Sequence, residues 1–448
     1  MESKNPTRSL PVLVYGPEDR LPLGPALLVA AQQVAAMVVG VVTPALILAG
    51  ALRFSAAETS YVVSMSLVAA AVGTFLQTTR VGPVGSGLLS VTGTSFAFIQ
   101  PLVQAGQLGG LPLMLGMSLA AAPTQLLLAP LIPRLRRLFP PLVSGIVVLL
   151  IGLSIIPEAM REIAGPAGPG AAPWTGGAVA AAVIAAVLAA QAAGLVWARL
   201  GGILFGVLVG YGVCAAGGWL QPPAPSGSWF AAPHVLGHGL AFRAELLLPF
   251  AFIYVVSLLE ALGDMTATAQ LSGLKADGPA HGARLRAGIL ADGLTSVFAG
   301  LIGSFPSTTY AQNNGVIQLT GVASRRIGKW MALMLVFLGL FPAFGAWVTA
   351  MPPAVLGGMA LLLFGLVGVS GLRLIAVHGL NQRNSLIVAL SLGIGLGAPT
   401  QAAWLAQLPG ALRVFLDSGL AAGGLTALAL NLLLPGGAAA PAETEAAG

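Results

Sequence analysis

Charge is what this chain has least of. Only 8% of its 448 residues are charged, against roughly 25% in a typical water-soluble protein. Hydrophobic residues make up 56% of it, and its mean hydropathy is +0.91. So few charges cannot cover the surface of an aqueous protein of this size, so most of the surface must face lipid. Cysteine is almost absent. Cys214 stands alone, which excludes a disulfide framework and a thiolate metal site. The four histidines (His234, His238, His281, His378) have no metal-site spacing, no Walker loop is present, and no Ser–His or Cys–His arrangement falls within the apolar segments. These absences leave no basis for nucleotide-driven pumping or for an embedded hydrolase. The formal charge of +6 comes from basic residues scattered between apolar runs without interleaved aromatics, which does not suit nucleic acid. The 60 Gly and 32 Pro lie inside apolar runs, where close helix packing and re-satisfied backbone groups tolerate them.

A bilayer crossing needs about 20 apolar residues. The sequence offers twelve such spans, near 25–50, 57–79, 108–131, 141–157, 174–198, 201–220, 245–270, 287–303, 328–350, 353–372, 384–400 and 418–434. Two further stretches, 86–105 (GSGLLSVTGTSFAFIQPL at its heart) and 306–322 (FPSTTYAQNNGVIQLTG), are apolar but broken. Each opens with Gly, Ser, Thr or Pro and β-favouring residues, then turns helical. Counting both gives fourteen crossings and puts the two termini on one side. Residues 1–24 then form a short cytoplasmic tail rather than a cleaved leader, and 435–448 an Ala/Gly-rich tail.

The basic residues test this count. With an inner N-terminus, all but four of the 20 Lys and Arg (Arg53, Arg161, Arg243 and Arg413) fall on the inner side, the bias that the positive-inside rule demands. Treating either broken stretch as a loop would invert Arg134, Arg136, Arg137, Lys275, Arg284 and Arg286. The broken stretches are each third in a half of seven segments. Matched interruptions in two halves of odd span number point to an inverted repeat with a binding site between its halves.

Three carboxylates lie well inside the spans: Glu260 and Asp264 in LLEALGDMTA, and Asp292 in LADGLTS. A charge in hydrocarbon is costly, so each should face a cavity or a partner. Glu260 and Asp264 are four residues apart, on one helical face. Their closeness favours a shared proton, which fits a solute acceptor beside a proton site, although a structural polar pair also satisfies the spacing. Asp292 is read as part of proton coupling, with helix capping as the bland alternative. The run Gln312-Asn313-Asn314-Gly315 is the densest amide cluster in the chain. At a helix break, its donors and acceptors suit a heterocycle whose edge alternates C=O and N–H. Across the other break, Thr92, Thr94 and Ser95 supply hydroxyls, and Phe96 offers a face for a planar ring or simply a core contact. Gln32 and Gln33 are adjacent in the first span, so one of them reaches the cavity.

QNNGVIQLTGVASR, from Gln312 to Arg325, resembles the signature of the nucleobase–ascorbate transporter family, also called nucleobase:cation symporter-2. Gln312, Asn313, Gly315, Thr320 and Gly321 fill that signature. ALGDMTATAQ preceded by Glu260 looks like the family's eighth segment, ILADGLTS like its ninth and SFAFIQP like its third. The resemblance runs from YGPEDRLPL to the last span. It implies an all-α membrane fold of fourteen segments in two inverted repeats of seven, with short strands in segments 3 and 10. A core domain takes 25–133 and 244–350, and a gate domain takes 140–220 and 353–434. It further implies that Glu260 and Gln312 hydrogen-bond a base, that Phe96 stacks on it, and that Ala311 contributes its backbone. Ser95, Asn313 and Gln33 border that site, and Asp264, Asp292 and Glu260 serve proton coupling. Many members are homodimers through the gate domain. Gln312 with Asn313 and Asn314 resembles the xanthine/uric acid branch, whereas uracil carriers carry Glu at that place. The chain departs from the family at Gln32-Gln33, where Gln-His is usual.

The expectation is therefore a symporter in the cytoplasmic membrane with both termini cytoplasmic. It imports xanthine, uric acid or both, with the proton as coupling ion and no cofactor, and it catalyses no reaction. The rival readings are a uracil or other nucleobase permease, an anion carrier of related fold, a channel and a membrane-embedded enzyme. The lack of Lys or Arg beside Gln312 and Ser95 counts against the anion carrier.

Overall fold

The computed structural model describes residues 13–132, 140–168, 170–193, 202–220, 230–276, 278–310, 312–341, 350–377 and 379–435. Helices dominate. In chain order they are α1 (Leu23–Leu52), α2 (Ala56–Thr79), α3 (Ile99–Ala121), α4 (Pro123–Leu128), α5 (Pro141–Ala164), α6 (Thr175–Ala192), α7 (Gly202–Ala216), α8 (Ala244–Leu271), α9 (Gly278–Leu301), α10 (Gln312–Thr320), α11 (Ile327–Leu340), α12 (Pro353–Val377), α13 (Gln382–Gly397), α14 (Gly410–Asp417) and α15 (Gly419–Leu433). Among the described residues, seven helical stretches are long and apolar enough to cross a membrane, and α7, α11 and α15 are shorter apolar helices. The protein is thus a multi-pass membrane protein.

The two broken stretches fold as the sequence indicates. Residues Thr92–Thr94 form strand β1 and Ser307–Thr309 form strand β2. They pair antiparallel with Thr92 opposite Thr309, Gly93 opposite Thr308 and Thr94 opposite Ser307. Each strand leads into a helix, β1 through the turn Phe96–Phe98 into α3 and β2 into α10. Gly93 is required here by space. A Cβ at that position would stand 2.7 Å from the Tyr310 ring and 2.8 Å from Val41.

Boundaries differ from the hydropathy reading in several places, among them the following three. The helix after β1 continues past residue 105, and the break between the third and fourth expected spans is a kink inside α3, at Gly109 and Gly110 (φ 65°). Helix α9 starts nine residues before the apolar window at 287, and Arg284 in its early turns donates to the Ser86 and Gly87 carbonyls. Helix α5 runs on to Ala164 rather than stopping near 157, crossing Pro157 without ending.

Packing falls into two groups of helices. Helices α1, α2, α3, α8, α9, α10 and α11 contact mainly one another and the two strands, and α5, α6, α7, α12, α13 and α15 contact mainly one another. The tightest pair is α5 with α12. A Cβ on Gly152 would meet the Gly368 backbone nitrogen at 2.5 Å, so glycine at both places lets the two backbones touch, as small residues do at membrane helix interfaces. Helix contacts between the groups include α1 with α7 and α8 with α5 and α15, and α14 lies against both α8 and α15.

Candidate functional site

The β1–β2 ladder brings the two breaks together, and the site builds outward from it. Tyr310, the residue after β2, donates its hydroxyl to the carbonyls of Thr94 at 2.6 Å and Gly40 at 3.0 Å. That clamp ties β2 to β1 and to the middle of α1. The Tyr310 ring lies nearly parallel to Phe96, with centroids 6.1 Å apart. Phe96 also meets Phe364 of α12 edge-on at 5.2 Å, so its ring stands where the two helix groups touch.

Helix α10 begins at this junction. Asn313 is buried, and its side-chain amide donates to the Leu89 carbonyl in the extended run before β1. Asn314 accepts from the Thr268 hydroxyl at 2.7 Å, which fastens α10 to α8. Ala311 and the side chain of Gln312 lie outside the described residues, so the expected roles of both rest on the resemblance alone.

Helix α8 presents Glu260, Gly263 and Asp264 at spacings of three and four, which places them on one face. This face is more open than its neighbours. Glu260 and Asp264 are only partly buried, and a Cβ at Gly263 would meet nothing within 4 Å. The same is true of Gly315, three residues after Gln312 on α10. Among the described residues neither Glu260 nor Asp264 has a hydrogen-bond or ion-pair partner on its carboxyl. Helix α8 itself packs against β2 and α10.

Asp292, on α9, is fully buried and accepts at Oδ1 from the Gln77 amide at 2.8 Å. Gln77 also donates to the Gly288 carbonyl at 2.9 Å and accepts from the Ser86 backbone N–H at 3.1 Å. The sequence reading missed this amide, although a lone Gln inside the apolar second span carried the same signal as Glu260 did. It missed Tyr310 too, since aromatic residues in a membrane segment seldom stand out.

Several buried polar atoms around the junction have no protein partner among the described residues. They include both side-chain polar atoms of Gln33, the hydroxyls of Ser95, Thr308 and Thr309, Oδ1 of Asn313 and Oδ2 of Asp292. An unsatisfied buried polar group costs about 1–3 kcal/mol, so a cluster of them requires a reason. The structure thus sets Ser95 and Phe96 directly after β1 and Asn313 at the start of α10, with Glu260 and Asp264 on α8 and Asp292 on α9, two helices that pack against β2, and with Gln33 on the helix that Tyr310 clamps.

Comparison with known proteins gives one consistent answer. The model of a permease family, Xan_ur_permease, matches residues 24–403. The xanthine permease XanQ of Escherichia coli (strain K12) is 40% identical over 95% of this chain and 94% of its own length. Xanthine permease XanP of the same organism is 39% identical over 94% of this chain and 95% of its own. A putative purine permease of Clostridium perfringens, CPE0397, is 34% identical over 97% and 96%. Among solved structures, the transmembrane domain of the cyanobacterial bicarbonate transporter BicA matches with a TM-score of 0.58 over 93% of this chain and 99% of that one. The anion transporter family member SLC26A9 matches with 0.61 over 91% and 65%. Both are 14% identical and speak for the fold alone.

Proposed function

Because the chain belongs to this permease family, the nucleobase–ascorbate transporters, and is a transporter rather than an enzyme, we propose that it is a proton-coupled symporter importing a purine base, xanthine or uric acid or both. The observation that carries the reading is the partly buried, unpartnered Glu260 carboxyl on a helix that packs against β2, where the unsatisfied polar atoms cluster. Xanthine is the cargo named for the relatives at 40% and 39% identity. Gln312, where uracil carriers have Glu, favours a purine over uracil.

In this mechanism Glu260 accepts hydrogen bonds from ring N–H groups, and the Gln312 amide pairs with the neighbouring C=O and N–H edge. The Ala311 backbone adds to this edge, with Ser95, Asn313 and Gln33 bordering it. Phe96 stacks on the ring. A proton shared among Glu260, Asp264 and Asp292 relieves their mutual repulsion and lets the base dock. The core domain (25–133 and 244–350) then moves against the gate domain (140–220 and 353–434), exposing the site to the other side without any covalent step. The antiparallel pairing of two matched strand-to-helix breaks supports the fourteen-segment inverted repeat. The basic residues support cytoplasmic termini in a cytoplasmic membrane, and the family resemblance supports a homodimer through the gate domain. Its solutes and partners are then the purine, the proton, lipid and a second copy of the chain, with no cofactor and no nucleic acid.

The test is uptake of labelled xanthine and urate into cells expressing the protein, with and without a protonophore. Competition by uracil and hypoxanthine sets the range of bases. Wild type should accumulate xanthine, and the protonophore should abolish accumulation. Glu260→Gln removes a charged acceptor worth about 1.5–3 kcal/mol, so uptake should fall by about 10- to 100-fold. Undiminished uptake by that variant would remove Glu260 from the site, and accumulation that persists without a proton gradient would end the symport reading.

A further inference from the structure

A second cavity lies away from the junction, within the first helix group. It has a volume of about 770 Å³ and sits where the C-terminal end of α2, the run after α4 and the first turns of α9 meet. Its walls are mainly apolar, with Ile132, Leu290 and Pro83 among them and the buried His281, bonded to the Thr266 hydroxyl, beside them, and its rim carries Arg80 and Arg286. Among the described residues, no Asp or Glu lines it. Both guanidiniums are exposed, and among the described residues neither has a hydrogen-bond or ion-pair partner. Nearby cations behave otherwise: Arg284 is bound to the Ser86 and Gly87 carbonyls, and Arg325 to Glu18. The first turn of α9, beginning at Gly278, also opens into the cavity. The partial positive charge at that helix end favours an anion on the same side as the two arginines.

Position identifies the occupant. Arg80 directly follows the last residue of α2, a helix long and apolar enough to cross the membrane. It therefore stands at headgroup depth, with the apolar walls running toward the acyl region. A soluble anion would satisfy the rim and leave the walls in contact with water. An amphiphile with an anionic head satisfies both, and basic pockets between membrane helices hold such lipids.

We propose that this cavity is a binding site for an anionic phospholipid, with its phosphate held by Arg80 and Arg286 and an acyl chain lying along Ile132 and Leu290. The inference rests on membrane embedding and not on the identity of the transported solute. The cavity belongs to the moving group in the proposed mechanism, so a lipid seated there would travel with that group and tie α2 to α9.

The experiment uses the full chain purified in detergent. Native mass spectrometry and thermal unfolding are read with phosphatidylglycerol, with phosphatidylcholine and with inorganic phosphate alone. Phosphatidylglycerol should bind in preference to phosphatidylcholine and raise the unfolding temperature. Each guanidinium near the surface contributes about fivefold to anionic-lipid binding. Arg286→Gln should therefore weaken binding about fivefold, and Arg80→Gln with Arg286→Gln about 25-fold. Replacing both by Lys keeps the charge and should retain most of the preference, which separates lost binding from lost folding. Equal binding of the two lipids, or a preference unchanged by the Gln pair, would overturn the proposal. Full displacement of phosphatidylglycerol by millimolar phosphate, with equal stabilisation, would make the cavity a free-anion site and overturn the lipid.

Discussion

Gln77 shows what one amide does inside a membrane protein. Its three hydrogen bonds join α2 to Asp292 and Gly288 on α9 and to the loop at Ser86. Gln77 and Asp292 are fully buried, so water does not compete there and each partner left alone bears its full desolvation cost, about 1–3 kcal/mol. Gln77→Leu keeps the volume but orphans Asp292 Oδ1 and the Ser86 N–H. We expect a clear drop in thermal unfolding temperature in detergent, together with reduced xanthine uptake. Asp292→Asn, which still offers an oxygen to Gln77, should be milder for folding. A double-mutant cycle on the two positions measures their coupling, and Gln77→Leu with wild-type stability would show that the bond carries nothing. At this scale the sequence was legible where a residue violated its surroundings. Glu260, Asp264 and Asp292 stood out as acids in apolar runs. The Gln77–Asp292 pair did not, because its members are 215 residues apart and periodicity carries no information across that distance.

Helix α10 is short, only nine residues, and it depends on its neighbours for position. One of them is the N-terminal segment. Val14 and Tyr15 donate to the Gly321 carbonyl at 2.8 and 3.1 Å, Ala323 donates back to Tyr15, and Arg325 donates its backbone N–H to Pro17. Ser324 donates its hydroxyl to the Asp19 carbonyl at 2.6 Å. The Glu18–Arg325 ion pair closes this strap at 2.7 Å, and Arg325 also reaches the Thr78 and Thr79 carbonyls at the end of α2. The hydrogen bonds and charge of Arg325 hold the Glu18 carboxyl below its ordinary value of 4.5. A carboxylate whose folded value is depressed stabilises the fold at pH above the unfolded value, and that stabilisation disappears as pH falls through the folded one. Glu18→Gln should therefore match wild type near pH 3 and fall slightly behind it at pH 7. Since the pair is largely exposed, the difference should stay below about 1 kcal/mol. Arg325→Ala also loses its carbonyl contacts and should cost more. Thermal unfolding of both variants at the two pH values checks this, and a Glu18→Gln deficit that grows on acidification would contradict it. The strap itself was not legible, since YGPEDR reads as a polar tail and its partner lies three hundred residues on. The breaks were legible, because Gly, Ser, Thr and Pro interrupt an apolar run in both halves. Their register, Thr92 against Thr309, was not, because a three-residue strand has too little pattern to fix a pairing.

For the whole molecule the question is movement. The two helix groups meet at Phe96 and Phe364, and again at the far end of α1, where a cavity of about 280 Å³ is bordered by Gly50 and Arg53 on one side and by Arg161, Glu162 and Leu356 on the other. Within it, a Cβ on Gly50 would stand 3.0 Å from Glu162 Oε1, so the groups are in direct contact there. A rigid displacement of one group against the other must separate that contact, since packed interfaces switch between discrete arrangements rather than deform continuously. Cys214 is the single native cysteine and is buried, so a Cys214→Ala background leaves a clean site for Gly50→Cys with Glu162→Cys. A short thiol-reactive linker across that pair should stop xanthine uptake in proportion to the fraction linked, and each single-cysteine protein should keep its activity under the same reagent. A reducible linker should restore uptake on cleavage. Fully linked protein that still transports would show that α1 and α5 stay together through the cycle. The solute would then have to reach Glu260 by local opening around the paired strands, without any relative motion of the two groups.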